Sequence, residues 1–255
     1  MLNKFLADER GFSLTELLVV IAAIALLASL LMPVLAGAKN AGNRTACMAN
    51  LRQLDAGMRM YVDDSGDLAP NTPGTHTNWS LSFNGYKNFM KSYVGVNDTV
   101  SPLDKLFACP SDTFYFAISN GFTVLVPLSA HENPYTEYSS YAFNGGNANT
   151  NLAQYGLDCS TLGIAGLSIS AIKNPARTAL IFEAPAANPY SWHEPKLPLD
   201  PSNSQFSDAR DVLGFVDGHV SYIKMHWSGS RTNGLVLTAA DENPPDEYDY
   251  QWSGK

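Results

Sequence analysis

The sequence predicts an α+β fold: a long N-terminal helix, first membrane-spanning and then amphipathic, packed on a C-terminal antiparallel β-sheet head with long loops. Three observations carry this. From Phe12 to Leu35 the only charge is Glu16, and the stretch Leu17 to Leu31 is broken only by Ser29. Cys47, Leu51, Leu54, Met58 and Tyr61 then recur at helical spacing along one face. Far downstream, Asp217-Gly218 separates two β-rich runs, Val212 to Val216 and His219 to Lys224.

The apolar stretch approaches the roughly 20 residues that a helix needs to cross a bilayer core. It reaches that length only with Glu16 inside it. A charge at mid-membrane costs about 2.5–3.5 kcal/mol on insertion scales, so an intramembrane Glu calls for a partner. Two plainer readings stand beside a functional one. A secretory signal peptide would be cut near Leu35-Ala36-Gly37-Ala38, although the start mixes Lys4 and Arg10 with Asp8 and Glu9. A simple signal anchor is the other. Neither accounts for a carboxylate so far into the apolar run.

Gly11-Phe12-Ser13-Leu14-Thr15-Glu16 followed by Leu17-Leu18-Val19-Val20-Ile21 resembles the cleavage and methylation signature of type IV prepilins and type II secretion pseudopilins. The resemblance implies a leader over 1–11, cut by a prepilin peptidase between Gly11 and Phe12. It implies methylation of the new Phe12 amine and pairing of Glu16 with the terminal amine of a neighbouring subunit. Pro33 falls where helices of this family often carry a proline; it removes a backbone hydrogen bond and is expected to kink or loosen the helix. A buried carboxylate and a buried amine are each costly alone and tolerable together. The macrodipole also favours a Glu near a helix N-terminus. The implied partners are like pilin subunits, the peptidase and the inner membrane. The implied location is single-pass in the inner membrane, with the head in the periplasm or outside the cell, and a filament after assembly.

The segments Ala46 to Leu54 and Tyr61 to Gly66 further resemble a pilin-like family abundant in planctomycete-type bacteria. Members pair the prepilin start with a Cys-Pro segment, here Phe107-Ala108-Cys109-Pro110, and a late Asp-Gly segment, here Phe215-Val216-Asp217-Gly218-His219-Val220. The family's C-terminal region carries a His at a short fixed interval before Asp-Gly. This chain departs from that pattern, with His193 much farther upstream of Asp217.

The parts are expected as follows: leader 1–11, transmembrane helix 12–35, amphipathic continuation 36–62, globular β-rich head 63–240 and an acidic, mobile tail 241–255. Between the face residues of the continuation fall Arg52, Gln53, Asp55 and Arg59, which read as the solvated side. A short helix is expected near Tyr86 to Tyr93, and strands at Phe122 to Val126, Tyr138 to Asn144 and Thr232 to Thr238. Arg177 to Glu183 reads as a continuous apolar, central strand. Asn147 to Gly166 and Asn188 to Asp211 read as long loops. Asp-Gly between the β-rich runs predicts a two-residue hairpin with positive φ at both positions.

The formal net charge of −8 over 255 residues argues against nucleic-acid binding by bulk electrostatics. A local basic patch could still form from Lys39, Arg44, Arg52 and Arg59. Cys47, Cys109 and Cys159 contain no CxxC spacing, so zinc is weakly signalled. In an exported head one disulfide with a thiol left over fits. Cys47–Cys109 is the favoured pair because it would tie the head to the helix; three free buried cysteines are the alternative.

An enzyme is not expected. His76, His131, His193, His219 and His226 are scattered, and no nucleophile elbow, P-loop or dinucleotide fingerprint occurs. Glu183, at the end of its strand, has no visible partner. No cofactor is expected, with calcium as a side reading through Asp208, Asp211 and Asp217, since hard cations take several oxygen ligands. The solvated acidic loop is the simpler account of those three. The expected function is a pilin-like or pseudopilin subunit assembled into a pilus or a type II secretion pseudopilus; the alternative is an exported binding or enzymatic head on a pilin-type anchor.

Overall fold

The computed structural model describes residues 12–71, 85–96, 99–119, 122–148, 162–188, 190–194, 208–227, 231–232, 235–236, 240 and 242–255. The chain divides into two compact units, Met1–Gly42 and Asn43–Lys255. Helix α1 (Leu14–Asp64) contributes to both.

In the first unit, α1 is apolar all round and its side chains are exposed: Leu17, Leu18, Ile21, Leu27 and Leu31 bury against nothing. A helix of that character belongs in an apolar surrounding. By length and composition α1 is able to cross a membrane. The helix runs on through Pro33.

The second unit begins with the rest of α1, whose buried residues are Cys47, Leu51, Leu54, Asp55, Gly57, Met58 and Val62. The expected face is therefore present, with two corrections. Tyr61 is only half-buried, and Asp55, expected on the wet side, is buried within it. Helix α2 (Tyr86–Met90) continues as a 3-10 turn over Lys91–Val94. Lys87 of α2 is fully buried; its ammonium pairs with Asp104 at 2.9 Å, donates to Tyr138 O at 3.0 Å and lies over the Phe107 ring. That satisfied cation ties the irregular segment after α2 to the core.

Strands β1 (Tyr115–Ser119) and β2 (Phe122–Val126) form a hairpin. The main sheet is antiparallel in the order β3-β4-β5-β6: β3 (Tyr141–Phe143), β4 (Ala179–Glu183), β5 (Ala209–Phe215) and β6 (Val220–Met225). β7 (Arg231–Thr232) and β8 (Leu235–Val236) pair separately. β4 is central and buried along its whole length, as its apolar run suggested, but both its neighbours are antiparallel.

The sheet carries a core on each face. Tyr141, Phe143, Leu180, Ile181 and Val212 pack with the α1 face. Ala142, Ala179, Phe182, Leu213 and Phe215 pack with Tyr250 and Trp252. The alternation is the period-2 pattern of strands. It slips once, where a register shift between Ala179 and Phe182 puts both Leu180 and Ile181 on the helix side.

Two further expectations need correction. Residues 241–255 are not a mobile tail at their end: Tyr250 and Trp252 are buried, and Gln251 runs beside β4, accepting from Ala179 N–H and donating to Arg177 O. Apolar surface from two aromatics outweighs the acidic composition of 246–249. The supposed loop 188–211 contributes Tyr190, Trp192 and His193 to the core, and β5 already starts at Ala209. The expected loop at 147–166 lies partly outside the described residues, but Ile164 is buried in the core.

The β5–β6 connection also differs from expectation. Gly218 N–H donates to Phe215 O, and Phe215 N–H donates to His219 O. Gly218 has φ 93°, while Asp217 is absent from the positive-φ residues. This is the three-residue form, a turn followed by a left-handed glycine, not the two-residue form.

Candidate functional site

The chemistry concentrates in two places, one in each unit. The first is the start of α1. Phe12 is 78% exposed. Ser13 caps the helix: its N–H and its hydroxyl both donate to Glu16 Oε2, at 2.9 and 2.7 Å, and Glu16 N–H donates back to Ser13 Oγ at 3.2 Å. This is a reciprocal capping box, which satisfies donors that a helix start leaves open. Ser13-Leu14-Thr15-Glu16 is the sequence form of that box, a signal the reading of Glu16 as an assembly residue passed over. Glu16 is thus held at the helix entrance and remains exposed. Gly11 lies outside the described residues. Pro33 sits within the exposed apolar stretch.

The second place is the core between α1 and the sheet. Cys47 of α1 and Cys109 of the following irregular segment form a disulfide, with Cα atoms 5.1 Å apart. Cys159 lies outside the described residues. Glu183, the last residue of β4, points to the same face and stands 3.3 Å from Cys109 Sγ through Oε1. That oxygen also meets His193 Nε2 at 2.8 Å, while Oε2 accepts from Val212 N–H at 3.0 Å. His193 is fixed by its N–H donating to Ser191 Oγ and by an edge contact with Tyr222. All four residues are buried, and one ligating atom from each lies within 4.8 Å of the others. Asp211, buried on β5, has its carboxyl pushed well up by burial, with the Glu183 charge adding to the rise.

Sequence reading singled out the cysteines but missed the partnership of Glu183 and His193. The only signal for Glu183 was a carboxylate ending an otherwise apolar strand. His193 sat in a stretch whose polar, proline-containing composition hid its burial.

The calcium trio does not converge. Asp211 is buried within β5, Asp208 is about half-exposed beside Lys224 at 3.7 Å, and Asp217 binds His219 Nδ1 at 2.6 Å at the hairpin. Among the described residues, the group that meets metal-ligand geometry is Cys47, Cys109, Glu183 and His193. Two residues of the possible basic patch have partners within the head. Arg44 lies over the Tyr222 ring, and Arg59 donates to Val216 O at 2.6 Å.

Residues 6–32 match the family model described as the prokaryotic N-terminal methylation motif. No curated protein and no solved structure matches the chain. The motif is a type IV pilin-like signature. With the long apolar first part of α1 it points to membrane anchoring, and it implies prepilin peptidase processing and pilin-like partners in general terms.

Proposed function

We propose that this chain is a type IV pilin-like subunit, stored in the inner membrane by α1 with its head in the periplasm or outside the cell. Leader removal between Gly11 and Phe12 frees an amine, and α1 then passes from lipid into a bundle of like helices in a pilus or type II secretion pseudopilus. The observation that carries this reading is the methylation motif over 6–32 on a helix whose first 20 or so residues bury no side chain. Such a surface needs lipid or other apolar helices around it. In a helix bundle Glu16 meets the amine of a neighbour, a pairing that hydrocarbon does not offer.

The role is structural and not enzymatic. Of the described histidines, His131, His193 and His219 each face a carboxylate, at Asp112, Glu183 and Asp217, and the sulfurs nearest His193 are those of the Cys47–Cys109 disulfide, which is not a nucleophile. The test is mass spectrometry of the mature chain together with analysis of sheared filaments. A mature N-terminus at Phe12, methylated, and the chain in the sheared fraction support the reading. A mature chain still beginning at Met1, or beginning at Ala36 or later, overturns it.

A further inference from the structure

The disulfide does not explain its own surroundings. A disulfide is content among apolar side chains and asks for no charged neighbour. Yet β4 delivers Glu183 and the 190–194 segment delivers His193 to the same buried point, from which water is excluded. Burying a carboxylate and an imidazole is costly unless both are well satisfied. Glu183 is held by His193 Nε2 and Val212 N–H, yet its Oε1 also faces a sulfur that, once oxidised, has no proton to donate. His193 Nδ1 finds no hydrogen-bond partner among the described residues.

The four groups do share one chemistry. Two sulfurs, one imidazole nitrogen and one carboxylate oxygen are a tetrahedral zinc donor set, and they come from four separate stretches of chain. We propose that Cys47, Cys109, Glu183 and His193 bind one Zn²⁺ when the two cysteines are in the dithiol state, so that the metal and the disulfide are alternative occupants of one buried site.

The geometry needs little change. Zinc–sulfur bonds of about 2.3 Å at the tetrahedral angle place the two sulfurs roughly 3.8 Å apart. Moving the sulfurs from bonded contact to that distance is within reach of χ1 rotation on Cα atoms 5.1 Å apart. The other donors already lie inside the 4.8 Å circle. Thiolate and imidazole donors select zinc over the hard cations that the three aspartates suggested. Zinc does not itself oxidise or reduce the sulfurs.

The steps balance. An external dithiol attacks the disulfide by thiol exchange; it becomes a disulfide, and two electrons and two protons pass to Cys47 and Cys109. Zn²⁺ then binds both sulfurs, and the two thiol protons leave to solvent. On reoxidation the two thiolates pass two electrons to a disulfide-forming oxidant, the S–S bond re-forms and Zn²⁺ is released, a step that the bound metal slows. The site would therefore hold the α1 continuation to the sheet in either redox state.

The experiment uses the full chain in detergent micelles, carrying Cys159→Ser to remove the third thiol. It is reduced with a phosphine under nitrogen and titrated with Co²⁺, then Zn²⁺. One Co²⁺ per reduced chain is expected, with thiolate-to-cobalt charge-transfer absorption that Zn²⁺ abolishes, and none in the oxidised chain. Glu183→Gln and His193→Ala should each weaken Co²⁺ binding about tenfold or more. No uptake by the reduced chain, or uptake that both substitutions leave unchanged, overturns the proposal. A second measurement needs no altered ligand: equimolar Zn²⁺ should slow re-formation of the Cys47–Cys109 disulfide by diamide at least about tenfold, and an unchanged rate would count against the site.

Discussion

Asp55 of α1 and Gly214 of β5 are packed so closely that a Cβ on Gly214 would stand 2.7 Å from both Cγ and Oδ1 of Asp55. One turn along, a Cβ on Gly218 would stand 2.8 Å from Arg59 Nη2. The helix therefore docks on the β5–β6 hairpin through two polar residues laid against two glycines. Arg59 is used there, donating to Val216 O. The Asp55 carboxyl oxygens are buried and find no hydrogen-bond partner among the described residues.

Gly214→Ala should destabilise the second unit by about 1–3 kcal/mol, the usual range for forcing extra volume into a filled core. The obstacle is a carboxyl group in a buried helix, not the free end of a surface chain, so relief is limited. Urea unfolding in micelles, followed by tryptophan fluorescence, reads the change. Combined with Asp55→Ala the two costs should be less than additive, because the truncated helix residue makes room.

Burial raises the Asp55 carboxyl well above its ordinary value, against the pull of Arg59, and the Asp217 charge adds to the rise. The folded chain thus holds this proton more tightly than the unfolded chain does. Stability from that proton is complete below the unfolded value of about 4 and is lost as pH rises towards the folded value. Asp55→Asn does not titrate. Its stability relative to the unaltered chain should rise as pH climbs above the unfolded value of about 4, by up to roughly 1.4 kcal/mol per pH unit, until the raised folded value is passed. Parallel denaturation curves across that range, with a constant difference, would show that Asp55 is not the group responsible.

Asp55 also shows where the sequence could be read and where it could not. The spacing of Cys47, Leu51, Leu54 and Met58 marks a buried face because apolar residues at helical period have one economical solution. Asp55, next to Leu54, falls on the edge of that face, and only the gap left by Gly214 allows it inside. A glycine 159 residues away in sequence cannot be seen from a periodicity. β4 and the hairpin were legible for the same local reasons as the helix. The hairpin's loop form was not, since Asp-Gly suits both a two-residue turn and a turn closed by a left-handed glycine. Tyr250 and Trp252 were lost in an acidic segment, although two aromatics so close together are a packing signal in themselves. The cluster at Cys47 was half-legible: two cysteines were visible, but the carboxylate and imidazole reach it only through tertiary structure.

The disulfide closes a loop between residues with a sequence separation of 62. Chain-entropy reasoning for a loop of that size gives a stabilisation of about 4 kcal/mol, within a measured range of roughly 0–5. Cys47→Ala with Cys109→Ala should lower the urea midpoint accordingly when compared with the oxidised chain. The same pair of substitutions should cost distinctly less against the reduced, metal-free chain, where the loop is already open. Equal losses in both comparisons would assign the cost to packing at two buried sites and not to the cross-link.

Glu16 carries two roles that a single substitution can separate. In the capping box it acts as an acceptor for Ser13, and Gln serves there as well as Glu. In the proposed assembly it acts as a charge opposite a neighbour's amine, and Gln cannot replace that. Glu16→Gln should therefore leave membrane insertion and leader removal intact while sheared filaments lose most of the chain, on the order of tenfold or more, the equivalent of at least about 1.4 kcal/mol. Ser13→Ala removes the cap, worth about 1 kcal/mol of helix stability, and keeps the charge. It should fray the first turn, visible as faster amide exchange at residues 14–16, with filament incorporation reduced far less than for Glu16→Gln. If Ser13→Ala depletes filaments as severely as Glu16→Gln does, the helix start and not the charge is what assembly requires, and the ion-pair role of Glu16 falls.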